Sequence, residues 1–421
     1  MKRTKFFSLF AILVIVAMTS ACSKTEKFEY QVLVPVYKSF EEFRASFKAS
    51  PPKIIEQPGK IYFKNNYIFL NEVNKGIHVI NNANPSNPVP VVFYEIDGNV
   101  DMAVRGNILF ADSYIDLVAI DMSNILQPVE IGRLQNAFPY ILPVSEFDYP
   151  VAFPDEGKGV VVGWAVEKRI GSPYGIPGLW RWFGGELMSM DAGGGQTSVG
   201  IAGSMARFML NDQYLYSVTT PWMLKTLDIS NVSNMVATDS LYTWREMETL
   251  FKYQNHLFVG TTSGMVIYNL DNPASPQFVS DFNHVNSCDP VVVANNIAYV
   301  TLRSGNECEG FTNQLDVIDI SNIRQPRLLK SYPMFNPHGL GIDLPLLFIC
   351  DGAAGLKVYN ATNPLAISSN MIAHFPNIDA FDVIPLGNIL LLTGHDGLFQ
   401  YDYSNPQNMV LLSHIKIKRK R

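Results

Sequence analysis

Residues Leu117 to Pro128 read LVAIDMSNILQP, and this phrase decides the fold because it recurs along the chain. It returns nearly unchanged as LDVIDISNIRQP at Leu315 to Pro326. Each copy is an apolar stretch that ends in Asp, followed by Ser-Asn and then Pro. Because an Asp side chain accepts hydrogen bonds from backbone amides two residues further on, the phrase predicts a strand that ends in a tight turn.

Copies of the phrase recur at a nearly constant interval. The Asp or Asn that ends the strand stands at Asn81, Asp121, Asp228, Asn269, Asp319, Asn360 and Asp402. The usual interval is about 41 residues, which is typical of a repeat architecture. The interval from Asp121 to Asp228 is more than twice as long and holds a degenerate copy that ends at Asp191. The sequence therefore predicts seven good units and one worn unit with extra residues.

Each unit contains four short apolar runs, separated by Asn-Asn, Gly-Asn or Ser-Asn turns. In one unit they are Val291–Val293, Ile297–Leu302, Leu315–Ile320 and Arg327–Tyr332. Four antiparallel strands per unit form the blade of a β-propeller. We therefore predict an all-β propeller of eight four-stranded blades. Seven blades is the alternative, if the worn unit at about 147–203 is only an excursion between its neighbours. A strand at 31–37 is a candidate to tie the N-terminal segment to the ring.

The repeat resembles a known family. The phrase Leu-Val-x-Ile-Asp-x-Ser, the segment Cys288 to Ser321 and the segment Pro337 to Asn360 are similar to the LVIVD-repeat propellers of bacterial surface and secreted proteins. The resemblance extends over nearly all of residues 54–415. It implies the propeller fold and no particular biochemical activity, because the family is described by its fold.

The first residues have the composition of an export signal. Lys2, Arg3 and Lys5 precede the apolar run Phe6 to Met18, whose 13 residues are too few to span a bilayer core of roughly 30 Å. Thr19 to Cys22 resembles a bacterial lipobox, although such motifs usually carry Leu where Thr19 stands. We predict a signal peptide at 1–21, a lipid-anchored segment at 22–53 and a propeller at 54–421. The alternative is a simple secretory cleavage that leaves Cys22 unmodified.

The predicted location is the bacterial cell envelope, where acylated Cys22 would hold the protein to a membrane. We expect the outer membrane, on its periplasmic or surface face. The net charge is −6, and Lys and Arg are scattered apart from the tail Lys416 to Arg421. No basic face for nucleic acid is therefore expected, and the tail is interpreted as a solvated end.

Cysteine spacing predicts one disulfide. Cys288 and Cys308 bracket two strands of one unit in a chain that is expected to be exported, so we predict that they are bonded. Two independent buried thiols are the alternative. Cys350 ends an apolar strand and is expected to be a small buried hydrophobic residue.

Polar residues recur where the first strand of each unit begins. They are Asp101, Arg207, Glu248, Asp289 and His338, with Asp379 or Asp382 in the last unit. The first strand of a propeller blade lines the central channel, so these side chains could form a ring at its mouth. Carboxylates with a His would bind a divalent cation or a polyhydroxylated ligand; no other cofactor is expected. The alternative is that they only solvate a water-filled channel.

The worn unit holds a second candidate site. Glu167 to Glu186 is rich in Gly and Pro and contains Trp180, Arg181 and Trp182. Long insertions in compact repeats often carry function, and Trp and Arg are enriched in binding hot spots. The loop is therefore a candidate to bind a protein or carbohydrate partner. The alternative is that it folds back over the worn unit.

No local catalytic motif is found in the sequence. The sequence therefore favours a non-enzymatic envelope lipoprotein whose propeller is a platform for a ligand or protein partner. The alternative is a propeller enzyme, a hydrolase or lyase, that uses the acidic ring, alone or with a metal. A structural module within a larger envelope complex is the third hypothesis.

Overall fold

The structure is a computed structural model. It describes residues 28–140, 142–143, 145, 147–171, 179–180, 201–202, 207–283, 290–304 and 312–418. Within these ranges the chain forms 34 strands, one five-residue α-helix and three short 3-10 helices. The all-β prediction is confirmed.

The N-terminal part forms β1 (Phe28–Lys38), α1 (Phe40–Arg44) and β2 (Lys48–Ser50). Two blades of four strands follow, namely blade 1 with β3 (Pro58–Lys64), β4 (Tyr67–Glu72), β5 (Gly76–Asn81) and β6 (Val89–Glu95), and blade 2 with β7 (Met102–Arg105), β8 (Ile108–Ser113), β9 (Asp116–Asp121) and β10 (Val129–Leu134). The worn unit then supplies β11 (Val151–Ala152), a 3-10 helix (Glu156–Lys158), β12 (Val160–Gly171), β13 (Leu179–Trp180) and β14 (Ile201–Ala202).

Five further blades complete the chain. Blade 3 has β15 (Phe208–Asn211), β16 (Tyr214–Thr220), β17 (Met223–Asp228), a 3-10 helix (Val232–Asn234) and β18 (Val236–Tyr242), and blade 4 has β19 (Met247–Tyr253), β20 (His256–Thr261), β21 (Gly264–Asn269) and β22 (Gln277–Asn283). Blade 5 has β23 (Val291–Ala294), β24 (Ile297–Leu302), β25 (Gln314–Asp319) and β26 (Arg327–Pro333). Blade 6 has β27 (Leu340–Asp343), β28 (Leu346–Cys350), β29 (Leu356–Asn360), a 3-10 helix (Pro364–Asn370) and β30 (Met371–Phe375), and blade 7 has β31 (Ala380–Leu386), β32 (Ile389–Gly394), β33 (Gly397–Asp402) and β34 (Val410–Lys416).

The turn between the third and fourth strands has the predicted geometry in all seven blades. Asp121 Oδ1 accepts a hydrogen bond from Ser123 N at 2.8 Å, and Asp319 Oδ1 accepts from Ser321 N at 2.9 Å. The equivalent Asp or Asn makes the same bond in the other five blades. A β-bulge follows each turn in the pairing of the third and fourth strands, which increases the local twist of the blade.

The first strands of successive blades contact one another around the ring, from β3 through β31. The two-residue strand β14 pairs with β3 and contacts β31, so it completes the inner side of the seam between blades 7 and 1. Ile61 and Leu70 of blade 1 share an apolar cluster with Ile384 and Leu391 of blade 7. Blades are apolar on both faces, so stacking them into a closed ring buries faces that a lone blade would expose.

An eighth sheet is composite, with the strand order β12-β1-β11-β13. The N-terminal strand β1 pairs antiparallel with β12 from Phe28↔Gly171 to Lys38↔Val160. The structure thus contains eight sheets, in agreement with the predicted repeat count, and the predicted strand at 31–37 is present. Val160–Trp164 also forms a strand as predicted, whereas the predicted strand at 187–190 lies outside the described residues.

The composite sheet differs from the other seven in its placement. The first strands of blades 2 and 3 contact each other directly, so the composite sheet does not separate them at the channel. It packs instead on the turn between the second and third strands of blade 2, where Val160 and Phe43 form an apolar cluster with Tyr114 and Ile115. Among the described residues, the first strands that contact one another around the channel are therefore those of the seven blades built from consecutive strands.

Candidate functional site

One end of the ring carries the links between successive blades and the turns between second and third strands. We call this end the linker face, and the opposite end, with the Asp-x-Ser turns, the turn face. Each first strand begins at the linker face, so the predicted channel-mouth residues that the structure describes belong to it. The described strands of the worn unit, β11 to β14, lie in the link between β10 and β15.

Strand register separates the predicted channel-mouth residues. Pairings such as Arg105↔Ile108 and Asn211↔Tyr214 place Asp101 and Arg207 at equivalent positions, four residues before the last paired residue of the first strand. The complete set at this position is Lys60, Asp101, Arg207, Thr249, Pro290, Gly339 and Asp382. Glu248 and His338 lie one residue earlier, and Asp379 lies three residues before Asp382. The six candidates are therefore not equivalent around the channel, and Asp289 lies outside the described residues.

Asp101 is part of a buried joint between three blades. Its side chain is 1% exposed, and its Oδ2 lies 2.5 Å from Nζ of Lys60, which is 3% exposed. The same oxygen accepts hydrogen bonds from the backbone amides of Arg207 at 3.0 Å and Phe208 at 3.1 Å. Burial raises the pKa of Asp101 and lowers the pKa of Lys60. Asp101 therefore links blades 1, 2 and 3, with its charge compensated by Lys60.

Asp112 supports this joint from the end of β8. Its Oδ1 accepts hydrogen bonds from Val100 N at 2.8 Å, Asp101 N at 2.9 Å and Asn99 Nδ2 at 2.8 Å. Burial raises the pKa of the Asp112 carboxyl to about 7. The sequence analysis missed Asp112, because the equivalent positions in other blades hold different residue types and no repeated pattern marks it.

His338 and Asp379 belong to a second group, which joins blades 6 and 7. The His338 ring lies 5.1 Å from the Phe381 ring, and Phe381 lies 5.1 Å from His395. His395 Nδ1 is 3.3 Å from an Asp379 carboxylate oxygen. Burial, followed by the positive charge of Arg303, lowers the pKa of His338 to about 3, so its imidazole is neutral at pH 7. The sequence analysis missed Phe381, although it is the register equivalent of His338 in the next blade.

Buried polar contacts position His338. Asp351 is fully buried, accepts a hydrogen bond from Asn336 N at 2.7 Å and forms an ion pair with Lys357. Asn336 Nδ2 in turn lies 3.3 Å from His338 Nε2, which fits a neutral imidazole that accepts at this nitrogen. Gly352 has φ +56°, and a Cβ there would lie 3.1 Å from Asn336 Nδ2 and 3.2 Å from His338 Nε2. The arrangement can present a neutral imidazole and an aromatic ring in fixed positions.

The described residues do not assemble a metal centre from these groups. No three His, Cys, Asp or Glu side chains in the described part of the chain are arranged to hold a metal ion. Glu248 is half-buried in β19, in a different blade from both groups described above. Because Asp289 is outside the described ranges, the divalent cation at the channel mouth stays a prediction.

Several predicted residues fall outside what the structure describes. They are Cys22, Arg181, Trp182, Cys288 and Cys308, so lipidation and the disulfide stay predictions. Trp180 is described only through its backbone pairing with Val151. Cys350 is fully buried in β28, as predicted, and burial raises the pKa of its thiol.

An exposed aromatic patch lies on blades 3 and 4, which the sequence analysis did not single out. Trp244 is 68% exposed and Tyr242 is 72% exposed. The Trp244 ring lies 6.1 Å from Phe278, which is also exposed. Only a tertiary structure could reveal the patch, because Trp244, in the link between blades 3 and 4, and Phe278, in β22, lie far apart in the chain. Among the described residues, no helix has the length and apolar character needed to span a membrane.

A family model describes the repeat that these blades contain. The LVIVD repeat matches residues 99–136, which include blade 2, and residues 289–333, which include blade 5. The chain therefore contains LVIVD repeats in these two segments. Its fold is that of a β-propeller, as the resemblance in the sequence implied.

Solved structures share the overall propeller fold of this chain. The computationally designed Ika8 protein is 10% identical, with a TM-score of 0.51 over 87% of this chain and 91% of that chain. Sqt1 from Saccharomyces cerevisiae is 9% identical, with a TM-score of 0.50 over 88% of each chain. At such low identity the likeness concerns the fold alone. No curated protein sequence matches the chain.

Proposed function

We propose that this LVIVD-repeat propeller is an exported, lipid-anchored scaffold of the bacterial cell envelope, whose linker face binds a ligand or protein partner. The β-propeller fold by itself suggests a binding or scaffold role. Export and anchoring rest on the N-terminal sequence, from the basic start to Cys22.

One contrast between the two ends of the ring supports the linker face as the binding surface. At the turn face, all seven blades make the same Asp or Asn turn, whose role is local and structural. At the linker face, the equivalent two-residue turns between the second and third strands differ, with Pro221-Trp222 in blade 3, Thr262-Ser263 in blade 4 and His395-Asp396 in blade 7. Trp222 and His395 are exposed in these turns. The turn that repeats in every blade stabilises the fold. A specific partner instead needs a surface whose side chains differ from one blade to the next.

The group at blades 6 and 7 is the best-defined part of this face. His395 is 56% exposed at its side chain, and it stands beside Phe381 and the pre-positioned His338. Aromatic rings next to fixed hydrogen-bonding groups are typical of ligand sites and interface hot spots. The hydrolase or lyase alternative has less support, because Asp101, one of its acidic residues, is already paired with buried Lys60.

Purification from native membranes after mild crosslinking tests the proposal. We expect a specific partner to be recovered with the wild type and lost with the double variant Phe381→Ala and His395→Ala. The matched control is Arg324→Ala on the turn face, where Arg324 is exposed and donates to Asn322 through its backbone amide, which the substitution keeps. Equal recovery with both variants would place the binding surface elsewhere.

A further inference from the structure

The N-terminal strand has one end fixed to the ring and one end that leads to the start of the chain. At the fixed end, Lys38 Nζ lies 2.5 Å from a carboxylate oxygen of Asp97, which follows blade 1. The other end is the pair Phe28↔Gly171. An eleven-residue strand is about 33 Å long at a rise of roughly 3.3 Å per residue, so this second end is well separated from the first. We call residues 28–31 and 166–171 the ribbon tip.

The covalent chain limits how far the ribbon tip can lie from an acyl anchor. Cys22 precedes Phe28 by six residues. Six residues span at most about 22 Å even when fully extended. If Cys22 is acylated, the ribbon tip therefore lies within about 22 Å of the membrane, and this part of the argument rests on the proposed function.

The surface of the ribbon tip suits a lipid interface. Ile170 is 76% exposed, more than any other large hydrophobic side chain in the described part of the chain. Val166 is 41% exposed and Lys168 is also exposed, and these alternate residues of β12 share one side of the strand. Lys168 Nζ lies 2.7 Å from Glu29, so the local charges largely balance. Exposed aliphatic groups beside long basic side chains are typical of segments that lie at the boundary of headgroups and acyl chains.

We propose that the ribbon tip is the membrane-contacting surface of this protein, with Ile170 and Val166 at the headgroup boundary. The β1–β12 ribbon then acts as a spacer between the lipid and the ring. The partner is the surface of a phospholipid bilayer, and the contact follows from tether length and exposed aliphatic area together.

Fluorescence quenching in vesicles tests this orientation. Acylated protein with Ile170→Cys carries an environment-sensitive fluorophore and is reconstituted into phosphatidylethanolamine–phosphatidylglycerol vesicles that contain doxyl-labelled lipid. The matched control is Val129→Cys, an accessible site at 59% exposure on β10 of blade 2. Labelled parent protein supplies the background from the native cysteines.

We expect a blue-shifted emission and at least threefold stronger quenching at position 170 than at position 129. Equal quenching at the two positions in acylated protein would overturn the ribbon-tip contact and leave the anchor intact. The mass of the N-terminal peptide reports acylation separately. A peptide without acyl groups would overturn both the anchor and this inference.

Discussion

At the scale of single residues, Gly352 shows that the linker face requires a residue without a Cβ at this position. Its φ of +56° favours glycine, and a Cβ would press on Asn336 and His338. Gly106 has a similar φ of +60° with nothing within 4 Å of the Cβ position. The two positions share the backbone requirement and differ only in what surrounds them.

We expect Gly352→Ala to destabilise the fold more than Gly106→Ala. Both changes incur the left-handed backbone cost of about 1–2 kcal/mol, and Gly352→Ala also displaces the groups that position His338. Urea unfolding of the two variants measures the difference, and the NMR shifts of the His338 ring should move only in Gly352→Ala. Equal losses of stability would show that the contacts around Gly352 are not restrictive.

The raised pKa of Asp112 predicts that the free energy of unfolding depends on pH. This pKa is raised to about 7 by burial, above the ordinary unfolded value, so the folded state holds the proton more tightly than the unfolded state. The stability contribution of this group is therefore complete below about pH 4 and is lost as the pH rises to about 7. Asp101, whose pKa is also raised, acts in the same direction, and buried Lys60 faces both carboxyls.

The variant Asp112→Asn isolates this effect. Its amide oxygen can still accept from Val100 and Asp101, but the side chain no longer titrates. Between pH 5 and pH 7.5 we expect the wild type to lose more free energy of unfolding than the variant, by on the order of 2–3 kcal/mol. Chemical denaturation at the two pH values measures it. Parallel pH profiles for the two proteins would assign the dependence to other groups.

At the scale of elements, the predicted disulfide would staple the longest turn of blade 5. In the sequence, Cys288 stands between β22 and β23, and Cys308 stands between β24 and β25. A bond across a loop of this length contributes about 3 kcal/mol in the chain-entropy model.

We expect Cys288→Ser and Cys308→Ser, singly or together, to lower the free energy of unfolding by the same amount, because either change removes the one bond. Alkylation of unreduced, denatured protein should leave both cysteines unlabelled, with Cys350 as the internal positive control. Labelling at both positions without a reductant would contradict the bond.

At the scale of the whole molecule, β1 would connect the proposed lipid anchor to the ring. This strand pairs with β12 of the worn unit, so the chain that leaves Cys22 enters a sheet within six residues. The strand β2 also pairs with β6 of blade 1, which ties the N-terminal segment to the ring at a second place. If Cys22 is acylated, the ring should therefore follow the lipid anchor as one body.

We expect Cys22→Ala to move the protein from the membrane fraction to the soluble fraction of the cell envelope without a change in melting temperature. The proposed acyl group would affect only the location of the protein, whereas the sheet contacts of β1 begin at Phe28 and stay intact. Fractionation with immunoblotting measures the first effect and a thermal melt measures the second. Unchanged membrane partitioning of the variant would remove the lipid anchor from the proposed function.

Much of the fold could be predicted because its determinants are local. The Asp-x-Ser turns, the alternating short strands and the regular spacing of the repeat are all set by residues that are neighbours in the chain. These features determined the four-stranded blade, the seven blades built from consecutive strands and the buried position of Cys350. A strand and its turn form largely from their own residues, so the sequence shows them directly.

The candidate site depended on the tertiary structure. Asp101 pairs with Lys60, which lies 41 residues earlier, and accepts a hydrogen bond from the backbone amide of Arg207, which lies 106 residues later. No local sequence pattern indicates these contacts. In the same way, β1 pairs with β12 from a distant part of the chain, and His338 meets Phe381 only because blades 6 and 7 are neighbours. Register, blade order and burial decide which polar groups meet and how their pKa values change. These properties arise from packing between distant segments. The sequence could therefore identify His338 and Asp101 as candidate site residues, but it could not predict their roles.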